Sequence, residues 1–128
     1  MMAYLLDTHV FIWLTANDTT LPTTIREQID TAETVYLSIA SLWEIAIKLK
    51  LGKLSLKQDY ERIGVELEDS DIELLPIQFA DTVQVRHLEM HHRDPFDRMI
   101  IAQAITNSLT IVSADAAFDA YPIQRLWE

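Results

Sequence analysis

The sequence predicts an α/β domain built around a mostly parallel sheet. Three observations lead there. Short apolar or β-branched runs alternate with stretches at helical spacing along the whole chain. Apolar residues make up 49% and charged residues 23%, which is a globular composition rather than a disordered one. The 128 residues contain no internal repeat, linker or low-complexity tract, so one domain over 1–128 is expected.

The elements follow in order. "AYLLD" is an apolar run closed by an acid and reads as a first, buried strand. "THVFIWLTAND" has Val10, Trp13 and Leu14 at helical spacing and stops at Asn17-Asp18. "LPTTIREQIDTAE" opens with Pro22 in a first helical turn and carries Ile25 and Ile29 four apart. "TVYLSI" reads as a second strand, and "ASLWEIAIKLKLG" as a helix with Gly52 as its stop. Residues 57–68 read as helix, and "IELLPI" as a strand cut short by Pro76. "FADTVQVRHLEM" reads as helix, although "TVQVR" also alternates as a strand would. "DPFDRMIIAQAITNS" is a strong helix and "LTIVS" a strand. "ADAAFDAY" is a short helix or turn, and "IQRLW" a possible last strand.

Composition excludes several chemistries. Cysteine is absent, so there is neither a disulfide framework nor thiolate chemistry, which suits a reducing compartment. Two glycines, Gly52 and Gly64, cannot build a Gly-rich phosphate loop. The start lacks a basic leader, and no stretch has the ~18 apolar residues of a membrane span. A cytoplasmic protein is expected. The net charge of −10 argues against non-specific adhesion to polyanions, which needs Lys and Arg to displace counterions. Yet eight of the ten basic residues lie between Lys48 and Arg98, which leaves room for a local basic face.

The acids carry the argument. In parallel α/β sheets ligands sit outside the carboxyl ends of the strands. Asp7 and Asp115 both stand just past predicted strands, where each alone is explained as a helix N-cap, Asp7 with help from Thr8. Glu44 is the only acid in "SIASLWEIAIKLKL", and its helical neighbours are Ser41, Ala40, Ile47 and Lys48. That mixed face suits a half-buried carboxylate in need of a cation. In "HHRDPFDRMIIAQA", Asp94 with Pro95 reads as N-cap and first helical residue. Asp97 then falls at the third helical position, where capping or dipole roles are open to it. It also shares a face with Ile101 and Ala104, so it is expected to point inward. Together Asp7, Glu44, Asp97 and Asp115 map to one edge of the sheet, where four carboxylates repel unless a hard divalent ion is bound. Such a cluster supports in-line phosphoryl chemistry.

These residues, with "YLLDTHVFIW", "SLWEIAIKLKLGKL" and "LTIVSADAAFDAYPIQRLW", resemble the PIN domain, specifically the VapC-type ribonuclease toxins of bacterial toxin–antitoxin pairs. The resemblance spans nearly the whole chain in the expected order. It implies a three-layer α/β/α sandwich, Mg²⁺- or Mn²⁺-dependent cleavage of RNA, a cognate antitoxin and a homodimer. It carries the acidic pocket to Asp7, Glu44, Asp97 and Asp115, with Thr8 and Ser113 as hydroxyl residues lining it. Lys48, Arg93 and Arg98 are candidate RNA contacts. The cleavage implied leaves a 5′-phosphate and a 3′-hydroxyl.

Three other readings compete. His87 and His91 lie four apart on a possible helix, but "HLEMHH" is not the H-E-x-x-H zinc pattern. A receiver or phosphatase-like domain would want a strand-end lysine, and none follows "LTIVS" or "TVYLS". A non-catalytic, partner-binding module would keep the fold without metal-dependent cleavage.

Overall fold

The computed structural model describes residues 2–128. Strand β1 (Ala3–Leu6) leads into helices α1 (Thr8–Thr15) and α2 (Thr23–Thr31), then β2 (Thr34–Ser38) into α3 (Ile39–Lys50) and α4 (Glu61–Glu68). Strand β3 (Ile72–Leu75) is followed by α5 (Phe79–His87) and α6 (Pro95–Asn107). Strand β4 (Thr110–Val112), a 3₁₀ turn (Ala116–Ala120) and β5 (Gln124–Leu126) complete the chain. All strand pairings are parallel, in the order β3-β2-β1-β4-β5.

The central position of β1 explains its composition. A strand covered on both faces needs apolar residues without alternation, and Leu5 and Leu6 are fully buried on opposite sides. Leu6 joins Leu37 and Val112 against α1 to α4, packing on Phe11, Ile25, Ile45 and Ile63. Leu5 joins Ile111 on the other face, against Ile100, Ile101 and Ala104 of α6 and Phe118 of the 3₁₀ turn. Burying each such side chain stabilises the fold by roughly 1.5–3 kcal/mol. Helices therefore cover both faces, and the three layers are α, β and α.

Local signals set most boundaries. Gly52 takes φ +71° one residue beyond the α3 cap, Leu51. Its N–H reaches Leu49 O at 3.1 Å, and Lys53 N–H reaches Lys48 O at 2.9 Å, which closes the helix as a Schellman motif. The ambiguous "TVQVR" is helical because Gln78 and Asp81 form a capping box at the start of α5. Two expectations change in detail. Pro22 is the residue before the first turn of α2 rather than inside it. Helix α4 begins at Glu61, since residues 57–60 are spent in the turn leading into it.

The possible helix through "HLEMHH" does not exist. Helix α5 ends at His87 and Leu88 is extended (φ −68°, ψ 137°). His91 instead lies beside Glu89 Oε2 at 2.8 Å, so His87 and His91 do not share a helix face.

The topology locates the chemistry. From β1 the chain steps to β2 and β3 on one side, then returns to β4 and β5 on the other. The strand order reverses between β1 and β4, and crevices outside the carboxyl ends of such strands hold ligands.

Candidate active site

Asp7 stands at that reversal. Its N–H donates to Val112 O at 3.0 Å, which seals the carboxyl ends of β1 and β4. Although Asp7 occupies the cap position of α1, its side chain makes no capping bond. Instead Oδ2 accepts from Ser113 Oγ at 2.7 Å. The carboxylate is buried, and burial, with Glu44 adding repulsion, outweighs the Ser113 bond and raises its pKa above the ordinary range.

Thr8 does not cap either. Its hydroxyl donates to Glu44 Oε1 at 2.8 Å and lies 2.9 Å from Ser41 Oγ. Glu44 is 3% exposed, so the expected half-buried acid is fully buried. The Lys48 ammonium lies 2.6 Å from Glu44 Oε2, one helical turn on, and this contact raises the Lys48 pKa.

Helix α6 delivers the third acid. Asp94 Oδ1 accepts from Phe96 N at 2.8 Å and Asp97 N at 3.1 Å, a complete N-cap with Pro95 behind it. With the cap position filled, Asp97 is free to turn inward. Its pKa is pushed up to about 8, first by burial and then by the charges of Asp7, Asp94, Glu44 and Asp115. Near neutral pH this carboxyl holds a proton that a cation can displace.

Asp115 does both jobs expected of it. Oδ1 accepts from Ala117 N at 2.9 Å and caps the 3₁₀ turn, while its own N–H donates to Ser113 Oγ at 3.0 Å. Its other oxygen, Oδ2, points back toward the site, 3.6 Å from His92 Nε2. Ser113 therefore links Asp7 to Asp115.

His92 is the residue that sequence reasoning missed. Its Nε2 lies 3.0 Å from Asp97 Oδ2, and among the described residues one ligand atom each from His92, Asp97 and Asp115 lie within 4.8 Å of one another. Helical spacing draws attention to His87 and His91 instead. The available signal is position: His92 is the second residue before the α6 cap, where the loop turns toward the first helical turn. The donor set fits a hard or borderline divalent cation, since carboxylate oxygens dominate it and crowd one another without a counter-charge. Asp7 and Glu44 stand next to this trio and reach Asp97 through their charge rather than sharing its tight grouping.

The basic candidates separate. Arg93 is exposed beside the site. Lys48 is committed to Glu44. Arg98 is turned away: it is 9% exposed, and its guanidinium donates to the carbonyls of Val85, Leu88, Glu89 and His92. It ties the loop between α5 and α6 and has no guanidinium face left for RNA, which corrects its expected role.

Comparison with known proteins agrees with this fold. The PIN domain family model matches residues 4–124. The chain belongs to the PIN-domain family. Its fold is shared by VapBC2 of Rickettsia felis, solved with a promoter DNA fragment, at TM-score 0.73 and 16% identity over 98% of each chain. DNA-bound VapBC of Salmonella typhimurium matches this PIN domain at TM-score 0.71 and 20% identity, again over 98% of each chain. FitAcB of Neisseria gonorrhoeae matches at TM-score 0.64 and 22% identity over 96% of each. No curated protein matches the sequence. Among the described residues no helix is long and apolar enough to cross a membrane.

Proposed function

We propose that this PIN domain is a Mg²⁺- or Mn²⁺-dependent endoribonuclease, the toxin of a cytoplasmic toxin–antitoxin pair held in check by a cognate antitoxin. The observation that carries the reading is Asp97, whose carboxyl is pushed up to about 8 by burial and by four neighbouring acids. A fold does not maintain such a cluster for stability, because unneutralised buried carboxylates destabilise it.

Asp97 and Asp115 would hold the ion, with Asp7 and Glu44 beside them completing its shell directly or through water. When bound, the ion supplies an activated water and neutralises charge at the scissile phosphate. Ser113 keeps Asp7 and Asp115 in register, and Thr8 with Lys48 fixes the Glu44 carboxylate. Attack at phosphorus with loss of the 3′ oxygen leaves a 5′-phosphate and a 3′-hydroxyl. Arg93, exposed at the start of α6, is the candidate phosphate contact from the protein.

The partner reading is supported by the toxin–antitoxin complexes that share the fold and by apolar surface on this chain. A groove of about 540 Å³ between α3, α4 and β3 is lined by Leu42, Tyr60, Ile63, Leu67 and Leu74. Separately, Phe79 is 83% and Trp43 61% exposed, apolar surface that suits a homodimer.

Asp97→Asn tests the activity. It keeps the shape and the cap but removes the carboxylate that would bind the ion, so RNA cleavage with Mn²⁺ or Mg²⁺ should fall by at least a hundredfold while the circular dichroism spectrum is unchanged. A folded Asp97→Asn protein with wild-type cleavage would overturn the reading.

A further inference from the structure

We propose that His92 is a positioning residue that orients the Asp97 carboxylate for the metal, acting as a hydrogen-bond donor and not as a ligand. The proposal rests on the metal-site reading above and adds a residue to it.

The backbone of His92 is fixed at both ends. Its N–H donates to Tyr121 Oη at 2.8 Å, and its carbonyl accepts from Arg98 Nη1 at 3.2 Å. The ring is largely buried and packs on Phe118 with centroids 5.9 Å apart. Its orientation is therefore set by the protein before any ion arrives.

The choice between donor and ligand turns on the ring proton. A neutral imidazole has one nitrogen that donates and one that accepts. The Asp94 backbone N–H donates to His92 Nδ1 at 3.3 Å, so Nδ1 is the acceptor and the proton sits on Nε2. That Nε2–H faces Asp97 Oδ2 at 3.0 Å, with Asp115 Oδ2 farther away at 3.6 Å. A protonated nitrogen has no lone pair for a metal. His92 thus lies close enough to be a ligand but is held in the tautomer that cannot serve as one. What it can do is engage one oxygen of Asp97 and hold the carboxylate in a single orientation. Partners of this kind behind a metal ligand typically contribute about 10–100-fold in affinity.

Asp94 then has a double use. Its side chain caps α6 and presents Asp97, while its N–H sets the tautomer of the ring that orients Asp97. The segment from His92 to Asp97 works as one device.

The test compares two variants of the full chain by Mn²⁺ titration calorimetry. In His92→Asn the amide oxygen can replace Nδ1 as acceptor for Asp94 N–H, but the side chain is too short to reach Asp97. In His92→Gln the amide nitrogen can stand where Nε2 stood. His92→Asn should bind Mn²⁺ at least about tenfold more weakly than wild type, and His92→Gln should recover most of that loss. Equal binding by wild type and His92→Asn would overturn the proposal, as would a His92→Gln protein no better than His92→Asn. A second measurement needs no variant to fold. Long-range ¹H–¹⁵N correlation of the His92 ring should show the proton on Nε2 both before and after Mg²⁺ addition; movement to Nδ1 on binding would make His92 a ligand and overturn the proposal. Wild-type protein that binds neither ion would remove the metal-site reading and this inference with it, whereas tight wild-type binding left unchanged in His92→Asn removes the inference alone.

Discussion

The Asp97 side chain sits where burial and the charges of Asp7, Asp94, Glu44 and Asp115 act together on one carboxyl. In the metal-free protein the folded state holds a proton there up to about pH 8, whereas an unfolded Asp releases it near 3.9. Between those values the folded chain binds more protons than the unfolded one, so stability falls as pH rises. Metal-free wild type should therefore be more stable at pH 5 than at pH 8. The Asp97 contribution amounts to a few kcal/mol, since each pH unit between the two values is worth about 1.4 kcal/mol. Urea denaturation across this range, with a chelator present, measures it, and the difference between wild type and Asp97→Asn isolates the residue: the variant should lose most of the slope. At the same scale, the sequence identifies Asp97 but not His92, because a side chain in a loop has no periodicity to read. Arg98 is misread from sequence for a related reason, since a cation beside an acidic motif says nothing about the carbonyls that the loop folds over it.

Helix α6 shows how an element aims a residue. Its cap, Asp94, and the acid it turns inward, Asp97, are three positions apart, and the cap's bond to Asp97 N–H fixes the backbone from which the second carboxylate projects. Asp94→Ala should cost about 1 kcal/mol of stability, the usual worth of an N-cap. It should also weaken Mn²⁺ binding, because the first turn frays under Asp97. Asp94→Asn retains a capping oxygen and should keep most of both. Thermal unfolding and Mn²⁺ titration on the two variants separate capping from charge. Elements of this sort are legible because their signals are local: Asp-Pro opens α6, and Gly52 at φ +71° closes α3. The helix expected through "HLEMHH" is the exception, since spacing alone cannot register that Leu88 turns extended at the end of α5.

Across the molecule, the binding of an ion is linked to folding by mass action. Mn²⁺ at about a hundred times its Kd should stabilise wild type by about 2.7 kcal/mol, and a chelator should reverse the gain. Asp97→Asn should show little of it, which a thermal shift series in Mn²⁺ would establish. The alternation of strands and helices reveals the α/β class, but not the order β3-β2-β1-β4-β5 nor which helices cover which face, because pairing partners are chosen by tertiary packing. That order has a consequence in time. Asp7 and Glu44 lie in the first 44 residues, while Asp97 on α6 and Ser113 and Asp115 just after β4 lie in the last third of the chain. A chain emerging from the ribosome therefore carries Asp7 and Glu44 long before Asp97 and Asp115 have been made. The cluster of four acids is complete only after Asp115 has been made and β4 has paired with β1.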